Sequence, residues 1–173
     1  VFLRIGSLNF YGDSTKLTSI DVLDDLPLSY LISLPVHLLL RPLVDVNTEN
    51  IFLENSDKLF GSMQIIFYLL YSKAPLVLFD IGLGILLALA VSTALQKKVL
   101  KLWMFNPLTL WVTSAIGQID IYPTFFIVLS WLFISKGKLS LASLALGVGG
   151  AVKSSPFLLL PLLLGLGQNF KER

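Results

Sequence analysis

The sequence predicts an all-α fold, a polytopic transmembrane helical bundle with about five to seven membrane helices, some short or broken. Three observations carry that expectation. Of the 173 residues 55% are hydrophobic and only 14% charged, with a mean hydropathy of +0.80, whereas an average soluble domain carries about 25% charge. Several apolar stretches reach or approach the roughly 20 residues that cross a bilayer. The Lys and Arg residues fall between those stretches as short, scattered groups.

The same composition excludes several function classes. A net charge of +2, with its basic residues dispersed, gives no stripe for nucleic acid. With no cysteine there are no disulfides, zinc-thiolate sites or thiol nucleophiles, and one histidine excludes a multi-histidine metal site in this chain.

Taken in order, residues 1–25 are mixed and polar, with Gly12-Asp13-Ser14-Thr15 and then Asp21, Asp24 and Asp25. They read as an extramembrane loop, with or without a short interfacial helix, because no apolar period is sustained there; counting spans makes it an outer-face loop if residues 59–72 cross. Residues 26–44 are apolar despite Pro27, Pro35 and Pro42, which a membrane helix tolerates when neighbours satisfy the freed backbone groups. Arg41 can snorkel to the interface. Residues 45–58, with Asp45, Glu49, Glu54 and Asp57, read as a loop. Residues 59–72 are apolar and aromatic but only about 21 Å long as a helix, a short span or an interfacial helix. Residues 74–95 form the cleanest span, interrupted only by Asp80, and Gln96-Lys97-Lys98 with Lys101 reads as a basic turn.

Residues 102–116 then lead into Gly117-Gln118-Ile119-Asp120, and 121–134 lead away from it to a second basic turn, Lys136-Gly137-Lys138. The last apolar run, 139–167, is broken by Lys153-Ser154-Ser155-Pro156 into two shorter helices. The positive-inside rule places Lys97/Lys98, Lys136/Lys138 and Lys171/Arg173 on the cytoplasmic side, and Gln118 to Asp120 with Lys153 on the opposite face. The chain starts at Val1 and ends just after an apolar stretch. The expectation is a single transmembrane domain over 1–173, a fragment of a longer membrane module.

The stretch from Trp103-Met104-Phe105-Asn106-Pro107 to Asp120 concentrates the chemistry, since polar groups in hydrocarbon usually face water, a partner or a substrate. Asp120 reads as a carboxylate at the mouth of a cavity, able to act as a base, or equally as a helix cap. Gly117 and Gln118 shift it toward function, through close backbone approach and an amide that both donates and accepts. Lys153, after Gly147, Gly149 and Gly150 and before Pro156, reads as a cation for an anionic head group such as a phosphate, with a snorkelling loop lysine as its alternative. Asp80 reads as a structural hydrogen bond to a neighbouring helix, Asn106-Pro107 as a bend with Asn106 covering freed carbonyls, and His37 as a packed residue.

In this order the chain carries Leu26-Pro27-Leu28-Ser29-Tyr30-Leu31, Lys73-Ala74-Pro75 through Asp80, Trp103 to Pro107, Gly117-Gln118-Ile119-Asp120 and Lys153 to Pro161. The series resembles the polytopic C-type glycosyltransferases, especially prokaryotic mannosyltransferase-like integral membrane proteins. Those proteins show a Tyr-Pro-Pro stretch, a Lys-x-Pro…Asp helix, an Asn-Pro break, a Gly-Gln-x-Asp turn and a Lys-x-x-Pro re-entry. The resemblance covers roughly residues 26–165, and its most specific part is the Asn-Pro break followed by the Gly-Gln-x-Asp turn. It implies transfer of a sugar, such as mannose, from a polyprenyl-phosphate carrier to an acceptor outside the cytoplasm.

By that resemblance Asp120 and Asp13 are the catalytic candidates, and Gln118, Lys153 and Asn106 the substrate-binding ones. No metal ligand is assigned; a divalent metal stays open as a cofactor, because the family's acid in the first outer loop is a base or a metal contact. The implied partners are the lipid bilayer and the polyprenyl-phosphate sugar donor. The implied location is a multi-pass place in the plasma membrane of a prokaryote or the endoplasmic reticulum membrane of a eukaryote. The competing readings are a polytopic transporter or flippase, which also uses broken helices with charges near the midplane, and a non-catalytic membrane subunit.

Overall fold

A computed structural model describes residues 27–45, 47, 48, 51, 62–161 and 165. The expected outer loop 1–25, including Asp13, Asp21, Asp24 and Asp25, lies outside the described residues, as do Glu49, Glu54 and Asp57. Among the described residues the chain is all-helical, with no strand.

The chain divides into two compact units, Val1–Pro75 and Leu76–Arg173. In the first, helix α1 covers Pro27–Leu40 and runs into a 3₁₀ turn at Arg41–Leu43. Pro27 opens α1, where a missing N–H costs nothing. Pro35 is accommodated inside the helix, and Ser33 Oγ donates to Ser29 O at 2.9 Å. His37 packs its ring on Tyr71 with centroids 4.8 Å apart, in keeping with its reading as a packed residue.

Helix α2, Met63–Leu89, corrects the expected division between 59–72 and 74–95. The two apolar stretches are one helix of 27 residues running through Lys73 and Pro75. One lysine and one proline lower a hydropathy window without ending a helix, and Ser72 Oγ donates to Leu69 O at 3.1 Å in the turn before the proline. At about 40 Å, α2 is long enough to span. It is the one described helix that is by itself both long and apolar enough to cross a membrane, with only 33% of its most apolar window buried.

The second unit continues through helix α3, Thr93–Met104, and helix α4, Pro107–Ile116. The expected basic turn at 96–101 is therefore helical, as Gln, Lys and Leu favour. The expected run 102–116 is bent by 42° between α3 and α4; taken together the pair is a second candidate span or a re-entrant loop. Helix α4 is α-helical over Pro107–Thr109 and π-helical over Leu110–Ile116. Helices α5, Ile121–Ser135, and α6, Leu139–Val152, follow, and then a 3₁₀ turn at Ser155–Leu159. At about 22 and 21 Å, α5 and α6 are apolar but shorter than a full span.

Helices α5 and α6 form an antiparallel hairpin. The joining turn Lys136-Gly137-Lys138 needs a left-handed residue, and Gly137 takes φ 71° while Lys138 N–H reaches back to Phe133 O at 2.9 Å. Ala142 and Leu146 are fully buried against Ile127, Phe133 and Ile134. The buried Ser130 hydroxyl donates across the hairpin to Ala142 O at 2.9 Å.

Candidate functional site

The hairpin register decides which polar groups meet. It sets Ser130 beside Ala142 and Phe126 beside Gly149, where a Cβ would stand 2.9 Å from Phe126 Cβ. Continued to the open end, the same register brings the residue before α5 to the residue after α6. There Lys153 Nζ donates to Asp120 Oδ1 in an ion pair. Lys136 and Lys138 occupy the other, closed end, a helix length away.

Each partner is freed for this by its backbone. Asp120 stands at the N-cap position of α5 but in the right-handed helical region, φ −58° and ψ −13°, and its side chain makes no cap bond. An N-cap residue normally adopts an extended conformation to reach back to the first free amides. The capping alternative for Asp120 is thereby set aside. Its carbonyl is held by Thr124, from N–H at 3.2 Å and Oγ1 at 2.7 Å. Lys153 leaves α6 in an extended conformation, φ −154° and ψ 142°, with its N–H still bonded to Gly149 O at 3.1 Å.

Close packing supports the pair from behind. Gly150 lets Phe157 of the 3₁₀ turn lie on α6, since a Cβ there would meet the ring at 2.3 Å. Tyr122, the second residue of α5, is fully buried and meets Phe79 edge to face at 4.8 Å. Phe79 also meets Phe125 at 5.0 Å, and Phe125 meets Phe126 at 5.5 Å. This aromatic cluster fixes the first turns of α5, so Asp120 projects from a rigid platform. The ion pair itself stays open, with side-chain exposures of 45% for Lys153 and 52% for Asp120.

The other expected residues lie on the chain leading to this pair. Gly117 ends the π-helical segment in the left-handed conformation, φ 81°, which explains a glycine there better than ligand approach does. Gly117 and Gln118 both donate backbone N–H to Val112 O, at 3.0 and 3.2 Å, and the Gln118 side chain is exposed. Asn106 caps α4 by accepting from Leu108 N–H at 3.0 Å. The expectation that it covers carbonyls is corrected. Thr109 does that, its hydroxyl reaching both Trp103 O at 3.2 Å and Asn106 O at 3.0 Å.

Asp80 is buried in α2 and accepts from Trp103 Nε1–H, at 3.0 Å on Oδ1 and 3.2 Å on its own carbonyl. The expected structural bond to a neighbouring helix is present. The sequence named both residues without pairing them, although a carboxylate in an apolar helix calls for a donor and the indole N–H only donates. Gly84, one turn on, lets the indole approach, since a Cβ there would meet Trp103 Cδ1 at 2.7 Å.

Among the described residues no three His, Cys, Asp or Glu side chains gather as metal ligands. Chemically, the site offers an ammonium and a carboxylate that satisfy one another while half open to their surroundings. An anion arriving at Lys153 can take the ammonium and release Asp120 to accept a proton. No protein-family model matches the chain, and neither a curated protein nor a solved structure matches it.

Proposed function

We propose that the chain belongs to a polytopic membrane glycosyltransferase of the C type, and that it transfers a sugar from a polyprenyl-phosphate carrier to an acceptor hydroxyl on the non-cytoplasmic face. The observation that carries this reading is the Asp120–Lys153 pair at the open end of an apolar hairpin. A lipid-linked donor arrives from the bilayer, and its phosphate needs a cation close to hydrocarbon. Lys153 supplies that cation, and the phosphate displaces Asp120 from it. The released carboxylate sits beside the bound donor and takes the proton of the acceptor hydroxyl, a contribution of about 10²–10⁴-fold. The acceptor oxygen bonds the anomeric carbon as its bond to the carrier phosphate breaks, and polyprenyl phosphate leaves held by Lys153. Gln118 and Asn106, on the chain that enters the site, supply amide hydrogen bonds to the sugar. Large apolar side chains left outward on α2, α4 and the final turn, among them Leu70, Trp111 and Leu158, support a multi-pass setting in lipid.

The test is transfer of a radiolabelled sugar from its polyprenyl phosphate by the full-length protein in proteoliposomes. Lys153→Ala is expected to raise KM for the lipid donor, and Asp120→Asn to lower kcat with donor retention unchanged. Full transfer by both variants overturns the reading. Uptake of solute into the vesicles without any transfer would instead establish a transporter.

A further inference from the structure

Helix α3 has two dissimilar faces. Its inner face packs on α2, where Leu100 and Trp103 lie against Gly84 and Trp103 is bonded to Asp80. Its outer face carries Lys97, Lys98 and Lys101, all exposed. At 100° per residue the three ammoniums cover an arc of about 100°. Exposed Leu102 and Leu95 come next around the helix, and Phe105, also exposed, follows its last turn. The helix contains no acid, and among the described residues none of the three lysines meets a carboxylate.

A lysine trio is ordinarily just a solvated face. Two features separate this one from that case. Large apolar side chains border the lysines directly, a poor arrangement in water and a good one at a lipid boundary. The helix is also bound to the flank of α2, the segment long and apolar enough to span. Lysines beside an apolar strip lay their methylene stems on hydrocarbon and raise the ammonium to headgroup level.

We infer that α3 is a contact for anionic phospholipid, in which Lys97, Lys98 and Lys101 take headgroup phosphates while Leu95, Leu102 and Phe105 rest at the acyl boundary. The occupant follows from charge complementarity together with that apolar border, which nucleic acid or an acidic protein surface would leave uncovered. The contact uses no residue of the Asp120–Lys153 site, so it stands or falls apart from the proposed transferase activity. Each lysine near an anionic membrane surface changes binding by about fivefold.

The test uses the full chain reconstituted in phosphatidylcholine bilayers containing a trace of spin-labelled phosphatidylglycerol or spin-labelled phosphatidylcholine. The protein is expected to immobilise the anionic probe several-fold more than the neutral one, and salt is expected to weaken that preference. The triple variant Lys97→Gln, Lys98→Gln, Lys101→Gln should cut the preference at least threefold. The triple Lys→Arg variant should keep it, and Lys136→Gln with Lys138→Gln should leave most of it. If the triple glutamine variant fails to insert, Lys98→Gln alone, with a smaller loss in the same direction, decides.

Because the chain lacks cysteine, a single nitroxide at Leu102→Cys reports depth directly. It should be more accessible to oxygen than to an aqueous nickel complex. An unchanged preference in the glutamine variant overturns the inference, as does a water-exposed label at Leu102. Equal loss of preference on adding millimolar inorganic phosphate would mark a free-anion site and overturn it too, and so would RNA or an acidic protein holding the lysines with no lipid preference.

Discussion

Two glycines two residues apart on α6 should respond oppositely to the same substitution. Gly149 faces α5, and an added Cβ would stand 2.9 Å from Phe126 Cβ and 3.6 Å from Pro123 O. Phe126 Cβ is fixed to its backbone, so the contact is relieved only if the hairpin opens. Gly147 faces outward, with nothing within 4 Å of the position a Cβ would take. Both Gly→Ala changes gain the helix-propensity difference, about 1 kcal/mol each. That term cancels when the variants are compared. What remains is the overpacking cost at Gly149, about 1–3 kcal/mol.

Gly147→Ala should therefore match or exceed the parent in stability, and Gly149→Ala should fall below Gly147→Ala by that amount. The assay is equilibrium unfolding of the full chain in mixed micelles on titration with dodecyl sulfate, followed by circular dichroism. Gly149→Ala as stable as Gly147→Ala would refute the hairpin register, and with it the reason Asp120 meets Lys153.

Other predictions follow from the same contacts. Trp103→Phe keeps most of the ring but removes the donor to buried Asp80, and should cost about 1–3 kcal/mol; Asp80→Asn in that background should recover little, read in the same unfolding titration. Ser130→Ala leaves Ala142 O without its cross-hairpin donor and should cost about 1 kcal/mol; faster amide exchange in α5 and α6 than in α2 would check it. A double-mutant cycle on Asp120→Asn and Lys153→Met should give a coupling below about 1 kcal/mol, because both partners are half exposed and screened. A coupling of several kcal/mol would make the pair a structural clamp rather than an exchangeable site. Asn106→Ala should cost about 1 kcal/mol through loss of the α4 cap, while Asn106→Asp, which keeps the acceptor, should stay near the parent melting temperature.

Composition and hydropathy by themselves determined the all-helical class and the apolar character of each segment, because these depend on side-chain transfer energies that add residue by residue. Break points were legible for the same local reason. Gly117 and Gly137 supply φ above zero, Asn106-Pro107 starts a helix, and Lys153 to Pro156 ends one. Segment boundaries were less legible. Hydropathy divides at Lys73 and Pro75, but backbone hydrogen bonding does not, so two apolar stretches became α2. Likewise Lys97, Lys98 and Lys101 lower hydropathy while favouring helix, so a turn became α3.

The pairings belong to the tertiary structure. Asp80 and Asp120 carry the same carboxylate, yet the buried one meets an indole N–H and the half-exposed one an ammonium. Which partner each finds is set by helix register, fixed where Gly84 admits Trp103 and Gly149 admits Phe126. Close approach of two backbones is a property of both together, and neither stretch of sequence contains it alone.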